Sequence, residues 1–247
     1  MQDGAADRNA SWRARIGVIV PVSNTMNEVE FNRMAPSGVT VHCTREPLHK
    51  DPGADDFRAM LHDAARSAEA LAACKVDVIA YGCTANSMAC PADRLLGTME
   101  KAGGTRSVTT AGAILAALKA LGVRRIAMAT PYTQATNDHE VEFLHEHGIE
   151  VVAHAGLGLN VDLAGIQKIS RVPPEAVLTH ARSVDRKEAD ALLICCTDFG
   201  ALPVVDRLEK ELGKPVITSN TATFWAALRT AGVKDKVPGC GRLLAEH

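Results

Sequence analysis

Two cysteines of the chain, Cys83 and Cys196, occupy nearly identical settings. The first closes the apolar run of "KVDVIAYGCTANS" and the second that of "EADALLICCTDFG", and each is followed by a threonine. Each also lies six residues after an aspartate, Asp77 in the first segment and Asp190 in the second. A thiolate is a strong nucleophile, and a thiol with an ordinary pKa of about 8.5 also exchanges protons near neutrality. The pattern therefore predicts two reactive thiols with related roles.

A helix that begins directly after each cysteine strand would strengthen this chemistry. Its first N–H groups favour an anion, and we expect them to lower the pKa of both thiols. The same groups, with the hydroxyls of Thr84 and Thr197, are suited to hold a carboxylate, which predicts a small di-acid or an amino acid as the substrate. Two thiols can exchange a proton across a carbon, as in racemisation or epimerisation. Alternatively, one thiol adds to an activated double bond while the other transfers a proton.

Short apolar runs alternate with longer amphipathic segments, a pattern typical of βα units around a parallel sheet. The apolar runs predict eight strands: Ile16–Val20, Val39–Cys43, Val76–Tyr81, Ser107–Thr109, Ile126–Ala129, Val151–His154, Ala191–Cys195 and Val216–Thr218. The amphipathic segments predict six helices: Ala54–Ala73, Ala111–Leu121, Thr133–His147, Pro174–Val184, Leu202–Leu212 and Thr221–Ala231. We therefore predict an α/β fold with parallel sheets.

Three pairs of segments recur in the same order at a nearly constant offset. "RIGVIVP" from Arg15 resembles "RIAMATP" from Arg125, and "AALKALGV" from Ala116 resembles "AALRTAGV" from Ala226, both 110 residues apart. The two Cys-Thr segments are 113 residues apart, a difference that one small loop insertion accounts for. The shared offset indicates an internal duplication of an α/β half.

A duplicated α/β half predicts two pseudo-symmetric lobes with the active site in the cleft between them. Ligands of such sheets bind at the carboxyl ends of the strands, where both cysteines are predicted to lie. The two thiols then flank a bound molecule from opposite sides. We assign residues 13–118 together with 220–247 to the first lobe, residues 119–219 to the second, and residues 1–12 to a flexible N-terminal tail.

Composition and charge exclude several classes of partner. The formal net charge of −2 provides no basic field for nucleic acid or for an anionic membrane surface. No apolar run reaches the roughly 20 residues that a membrane-spanning helix needs. The polar start "MQDGAADRNASW" lacks the features of a secretory signal, so we expect a cytoplasmic protein with mostly reduced cysteines. His139, His145 and His147 cluster on one predicted helix, but their spacing does not gather them on one face, so no metal site is predicted.

Several separated motifs carry a family resemblance: "RIGVIVPVSNTMNEVEFNRMAPSGVTVHCTR", "YGCTANSM", "VTTAGAILAALKALGVRRIAMATPYTQ", "LLICCTDFGALPVVDRLEKELGKPVITSN" and "VPGCGRLL". Together they resemble the maleate cis-trans isomerases of the aspartate/glutamate racemase superfamily, to which the arylmalonate decarboxylases are closely related. The resemblance runs from about Arg15 to the C-terminus. It implies two pseudo-symmetric α/β lobes with the active site between them, and a homodimer.

The resemblance also implies roles for individual residues. Cys83, in "YGCT", resembles the nucleophile that adds to a carbon of the double bond, and Cys196, in "CCTD", resembles the second catalytic thiol, which transfers a proton. Cys195 is expected, by strand alternation, to face the core instead. The expected substrate contacts, which include residues flanking the cysteines, are Asn24, Thr84, Ala85, Tyr132, Asn160 and Thr197.

The activity that this resemblance implies is isomerisation of the dicarboxylate maleate to fumarate. Addition of the Cys83 thiolate converts the double bond into a single bond and moves charge into a carboxylate, which hydrogen-bond donors stabilise. Rotation followed by expulsion of the thiolate yields fumarate. This chemistry needs no redox cofactor and no metal.

The sequence leaves four other functions open. Arylmalonate decarboxylases resemble the chain around Cys196 but have a residue other than cysteine at the first site, which disfavours decarboxylation here. Glutamate racemases carry "C-T-H" at the second site, where this chain has Asp198, and this counts against racemisation of an amino acid or a hydantoin. Ectoine-degradation proteins of the same family share the motifs. A non-catalytic carboxylate-binding protein would keep the binding residues without needing both thiols.

Overall fold

The computed structural model describes residues 10–49, 55 and 57–247. Over these residues the chain forms eight strands: β1 (Ala14–Pro21), β2 (Val39–Glu46), β3 (Val78–Tyr81), β4 (Ser107–Thr109), β5 (Arg125–Thr130), β6 (Glu150–Gly156), β7 (Ala191–Ile194) and β8 (Val216–Thr218). It also forms eleven helices: α1 (Asn27–Met34), α2 (Arg58–Ala73), α3 (Thr84–Ala89), α4 (Ala92–Gly103), α5 (Thr110–Ala120), α6 (Gln134–Glu146), α7 (Leu163–Ile169), α8 (Pro174–Val184), α9 (Leu202–Leu212), α10 (Ser219–Thr230) and α11 (Arg242–Glu246). The predicted N-terminal tail, residues 1–12, lies outside the described residues except for its last three.

The strands form two four-stranded sheets with the same internal order. The order is β2-β1-β3-β4 in the first sheet and β6-β5-β7-β8 in the second. All of these strand pairs are parallel, so the chain must cross over, usually through a helix, before the next strand joins the sheet. The second order is the first one shifted by four strands, which is what a duplicated half predicts. The expected α/β class, with two parallel sheets, is therefore confirmed.

The strands that lead to the cysteines are buried along their whole length. Every residue of Val78–Tyr81 and of Ala191–Ile194 is buried. A central parallel strand is covered on both faces, so it favours a continuous apolar run over alternation. The continuous apolar run made these two strands recognisable. All eight observed strands begin and end within three residues of their predicted bounds.

The six predicted helices are present, but five further helices were not predicted. The helix predicted over Ala54–Ala73 begins at Arg58, and Ala54 lies outside the described residues. Four of the missed helices, α1, α3, α7 and α11, have eight residues or fewer, which is too short for a helical period to be recognised. The fifth, α4, begins behind Pro91, directly after α3. None of the helices in the described part of the chain combines the length and hydropathy that a bilayer-spanning segment requires.

Two helices connect the halves because each packs across to the other sheet. In α5, Ile114 lies in the same apolar cluster as Met128 of β5, in the second sheet. In α10, Phe224 lies in the same cluster as Val18 of β1 and Phe31 of α1, beside the first sheet. The helices α5 and α10 also pack against each other. The predicted lobe boundaries stay a prediction: they assign residues 13–118 and 220–247 to the first lobe and residues 119–219 to the second. They place nearly all of α5 in the first lobe, although its buried face packs with the second sheet.

Candidate active site

One cavity of about 760 Å³ lies at the carboxyl ends of both sheets. It is lined by the turns that follow β1, β3, β5 and β7, together with parts of α6 and α7. All eight residues that the sequence predicts for the site line this cavity: Asn24, Cys83, Thr84, Ala85, Tyr132, Asn160, Cys196 and Thr197. The fold thus brings residues from distant parts of the chain to one place.

Cys83 lies in the turn between β3 and α3, at the N-cap position of the helix. Its backbone is extended, with φ −140°, and its side chain is half-buried at the cavity surface. Burial raises the pKa of the thiol to about 12, although the backbone N–H of Asn86 favours the thiolate. The start of α3 thus acts in the expected direction, but the expectation of a pKa below the ordinary value is wrong. The helix α3 has only six residues, and removal of the thiol from water dominates.

Cys196 lies in the turn after β7 and is only 8% exposed. Its φ of +91° is a conformation that residues other than glycine rarely adopt. Burial raises the pKa of this thiol, and the charge of Asp198 raises it further. The hydroxyl of Tyr132, which is hydrogen-bonded to the sulfur, acts in the opposite direction and favours the thiolate. No helix begins here, since α9 starts at Leu202, so the second expected helix N-terminus is wrong. Cys195 is fully buried and does not line the cavity, as strand alternation predicts.

Ser219, which the sequence analysis missed, holds the Cys196 turn. The backbone N–H of Cys196 donates to Ser219 Oγ at 3.0 Å, and Thr84 Oγ1 donates to the same oxygen at 2.8 Å. Ser219 opens α10, and its counterpart in the first half, Thr110, opens α5 and donates to the carbonyl of Tyr81 at 2.9 Å. The repeat could therefore have identified Ser219, because both helices begin with a hydroxyl residue beside a cysteine turn.

The hydroxyls of Thr84 and Thr197 connect the two halves. Thr84 Oγ1 donates to Ser219, while Thr197 Oγ1 donates to the carbonyl of Gly82 at 2.8 Å. Both hydroxyl protons are therefore used within the protein and are not available to a carboxylate, contrary to expectation. The backbone N–H groups of Thr84 and Ala85 remain, since the first N–H groups of a helix have no intrahelical partner. These groups are suited to bind an anion at the cavity surface.

Asn24 follows β1 and is held on both sides of its amide. Its Oδ1 accepts from the backbone N–H groups of Met26 at 3.1 Å and Asn27 at 3.0 Å, at the start of α1. Its Nδ2 donates to Thr197 Oγ1 at 2.9 Å, which links the β1 turn to the Cys196 turn. One amide proton remains for a ligand.

Tyr132 and Asn160 both lie beside the start of α6. Tyr132 is buried, and its hydroxyl faces the sulfur of Cys196. Asn160 Oδ1 accepts from the backbone N–H of Thr133 at 2.6 Å, and its Nδ2 donates to Thr136 Oγ1 at 2.9 Å. Asn160 therefore fixes the loop after β6 to the start of α6. The second proton of its amide nitrogen is left for another partner.

The charge of the cavity lining is low. Among the described residues that line it there is no lysine and no arginine, and the groups that can become cationic are His49 and His139. Asp198 lies in the lining, where burial raises its pKa to about 6, although it accepts backbone N–H bonds from Thr25 at 2.7 Å and Met26 at 3.2 Å. An anionic substrate must therefore be held mainly by N–H and O–H donors. Such a site suits an addition or a proton transfer next to a carboxylate.

Comparison with known proteins gives a consistent result. The family model described as arylmalonate decarboxylase matches residues 16–244. The maleate isomerase of Nocardia farcinica is 31% identical over 94% of this chain and 96% of the relative. The arylmalonate decarboxylase of Bordetella bronchiseptica is 34% identical over 60% of this chain and 61% of the relative. Among solved structures, a cysteine-to-serine mutant of the Nocardia farcinica maleate cis-trans isomerase, with a covalently bound succinylcysteine intermediate, has a TM-score of 0.85 and 30% identity over 95% of this chain and 99% of that one.

Proposed function

The chain belongs to the arylmalonate decarboxylase family, and we propose that within this family it is an isomerase that converts maleate to fumarate through a covalent cysteine adduct. The observation that carries the proposal is the pair of thiols, Cys83 and Cys196, which reach one cavity from the two halves. The near-full-length similarity to a maleate isomerase and the succinylcysteine seen in its mutant support an adduct of this kind.

The first step joins the sulfur of Cys83 to one of the two central carbons of maleate. The electron pair of the double bond moves to the other central carbon and its carboxylate, where the free N–H groups at the start of α3 stabilise the charge. The S–H group of Cys196 then gives its proton to that carbon. The product of this step is a succinyl thioether on Cys83.

The proton balance follows from the raised pKa values. Because burial raises the pKa of both thiols, both cysteines of the empty site carry protons at neutral pH. The proton that leaves Cys83 passes to the sulfur of Cys196, where it replaces the proton that Cys196 gives to carbon. The cleft therefore gains no net negative charge. The hydroxyl of Tyr132 stabilises Cys196 while it is transiently a thiolate.

The second step reverses the first after rotation. Rotation about the new carbon–carbon single bond brings the two carboxylates to opposite sides. Cys196 passes its proton to the departing sulfur of Cys83 and, as a thiolate, takes the proton from carbon; the double bond re-forms as the bond between carbon and the Cys83 sulfur breaks. Maleate has become fumarate, and both cysteines regain their starting state.

Decarboxylation of an arylmalonate is a second candidate, favoured by the similarity to the Bordetella bronchiseptica enzyme. It would use Cys196 to protonate the carbon that loses carbon dioxide, and Cys83 would then have no role. Racemisation of aspartate or a hydantoin would instead require removal of a proton from a saturated carbon by one thiol and return of a proton by the other, which appears as deuterium exchange in D₂O.

Proton NMR of the purified protein with maleate tests the proposal. We expect the maleate signal to be replaced by that of fumarate, and no change with phenylmalonate. Loss of carbon dioxide from phenylmalonate without conversion of maleate would move the assignment to decarboxylation. Exchange of the α-proton of aspartate in D₂O without conversion of maleate would move it to racemisation.

A further inference from the structure

Glu140, on α6, is a buried carboxyl that the proposed reaction does not use. It is 0% exposed, and neither of its oxygens has a nitrogen or oxygen hydrogen-bond partner among the described residues. The group that approaches it as a donor is the thiol of Cys195, which is a weak donor. Glu140 does not line the cavity but lies directly behind its wall, since Cys195 is the neighbour of Cys196.

Other buried carboxyls of the protein are satisfied in a way that Glu140 is not. Glu30 accepts from the backbone N–H of Leu202 at 2.9 Å and from Asn220 Nδ2 at 2.7 Å. Glu209 accepts from the backbone N–H of Val216 at 2.9 Å. A carboxylate that is buried without such donors is strongly disfavoured, so it takes up a proton instead. Accordingly, burial raises the pKa of Glu140 to about 8.

The charge of Glu140, when present, reaches the reacting groups. It raises the pKa of Cys83, in the turn before α3, of Tyr132, in the turn before α6, and of Cys195, at the end of β7. Among the elements packed against α6, α3 carries no titratable side chain.

The other packed strand, β6, carries Glu150 and His154, and neither contributes to the shift at Glu140. On α6 itself, the neighbouring His139 lines the cavity.

The lining itself holds a second carboxyl, Asp198, whose charge Arg45 partly offsets from outside the lining. No described lysine or arginine lines the cavity to compensate a further negative charge.

We propose that Glu140 must hold a proton for the cleft to accept a doubly charged dicarboxylate, so that substrate binding and protonation of Glu140 are linked. The ligand class rests on the proposed function, whereas the linkage rests on the position of Glu140. A dianion beside an ionised Glu140, in a low-dielectric cleft whose described lining holds no lysine or arginine, is repelled. A neutral Glu140 removes this repulsion.

The sign of the pH dependence follows directly. Below the pH at which Glu140 ionises, it already carries its proton and affinity is independent of this group. Above that pH the free protein must take up a proton when the dianion binds, so the dissociation constant rises by about tenfold per pH unit. The thiols do not titrate in this range, because burial raises the pKa of Cys83 to about 12 and that of Cys196 also upward.

Calorimetry on a Cys83→Ala variant, which binds maleate without turning it over, measures this linkage. Titration with maleate in two buffers of different ionisation enthalpy gives the number of protons taken up. We expect close to one proton per maleate well above pH 8 and little uptake near pH 6.5, with a parallel loss of affinity. In the Cys83→Ala/Glu140→Gln variant both effects should vanish, whereas Glu142→Gln, which removes an exposed charge from the same helix, should leave them unchanged.

Each outcome bears on the inference. If the alkaline loss of affinity persists in the Glu140→Gln variant, it belongs to another group, such as the lining carboxyl Asp198, and the inference is wrong. If that variant does not fold, proton uptake by Cys83→Ala alone decides, and uptake near zero at high pH overturns the linkage. Absence of maleate binding at every pH also overturns it.

The inference and the proposed function fail separately. Uptake that depends on Glu140, in a protein that makes no fumarate, would support the linkage and refute the isomerase. Fumarate formation without such uptake would do the reverse.

Discussion

The two cysteine turns occupy equivalent positions in the two halves, yet they differ in structure. Cys83 has an extended backbone, is half-buried and is followed at once by α3. Cys196 has a φ of +91° and is buried. Its sulfur is hydrogen-bonded to the hydroxyl of Tyr132, and its backbone N–H donates to Ser219 Oγ. Duplication of an α/β half accounts for the common position, whereas the surroundings separate the roles.

The difference supports one nucleophile and one proton donor. The accessible thiol of Cys83 can approach a carbon atom, and its turn offers N–H groups for the carboxylate. The enclosed thiol of Cys196 is held in one orientation and has a hydroxyl that stabilises its thiolate, which suits repeated proton transfer. Four predictions follow from this contrast, beginning with the largest effect.

Replacement of Cys83 by alanine should abolish isomerisation. Since Cys196, the other thiol of the cavity, is enclosed and transfers the proton in this account, we expect kcat/KM for maleate to fall by about 10⁴-fold or more. Fumarate formation followed by ultraviolet absorbance or NMR measures the loss. The matched control is Cys74→Ala, which removes an exposed thiol at the end of α2 and should leave turnover unchanged. Retained activity in Cys83→Ala would remove Cys83 from the mechanism.

Alkylation of the empty protein should distinguish the two thiols by rate and by pH. Because the pKa of Cys83 is about 12, its thiolate fraction should rise about tenfold per pH unit from pH 7 to 10 without levelling. Cys196 should react more slowly at every pH, since it is more enclosed. Iodoacetamide labelling with peptide mapping by mass spectrometry measures both rates. Faster labelling of Cys196, or a plateau for Cys83 below pH 9, would contradict the contrast.

Replacement of Tyr132 by phenylalanine should slow the proton transfers while leaving the fold intact. The variant loses the O–H group that favours the Cys196 thiolate, and a hydrogen bond to a charged group corresponds to a decrease in kcat of about 10- to 100-fold. The melting temperature should change little, because the ring is retained. A kcat equal to that of the wild type would show that this hydroxyl has no part in the reaction.

The backbones of the two turns should respond in opposite ways to glycine and alanine. At Cys196, with φ +91°, the glycine variant should be more stable than the alanine variant by about 1 kcal/mol, because glycine adopts this conformation without strain. At Cys83, with φ −140°, alanine should be more stable than glycine by about 0.5–1 kcal/mol. Urea denaturation of the four variants measures both differences, and the same order at both positions would refute the assigned conformations.

Much of the fold and the position of the site could be predicted from the sequence. Buried parallel strands are continuous apolar runs, so both strands before the cysteines were recognisable. The constant offset of the repeats then placed Cys83 and Cys196 at matching strand ends. The same arrangement placed Thr84 and Thr197 beside the cysteines, whereas Asn24, Tyr132 and Asn160 were expected from the family resemblance; all of them line the one cavity.

The properties of the site could not be predicted in the same way. The raised pKa values of the thiols depend on how far the two halves enclose them, which no local pattern records. The contact between Thr84 and Ser219 joins residues 135 positions apart, and the left-handed backbone of Cys196 has no signature in a segment without glycine at that position. The homodimer, the cytoplasmic location and the roles of the site residues stay predictions.

Intact-mass analysis of a Cys196→Ser variant treated with maleate tests the central assignment most directly. The serine hydroxyl can still give a proton to the strongly basic carbanion, but it ionises far less readily than a thiol and cannot take the proton back from carbon, so the adduct should accumulate instead of proceeding to fumarate. The account predicts a mass increase of one maleic acid per chain, located on Cys83 by peptide mapping. An adduct located on another residue, or fumarate formation at the wild-type rate without an adduct, would contradict it.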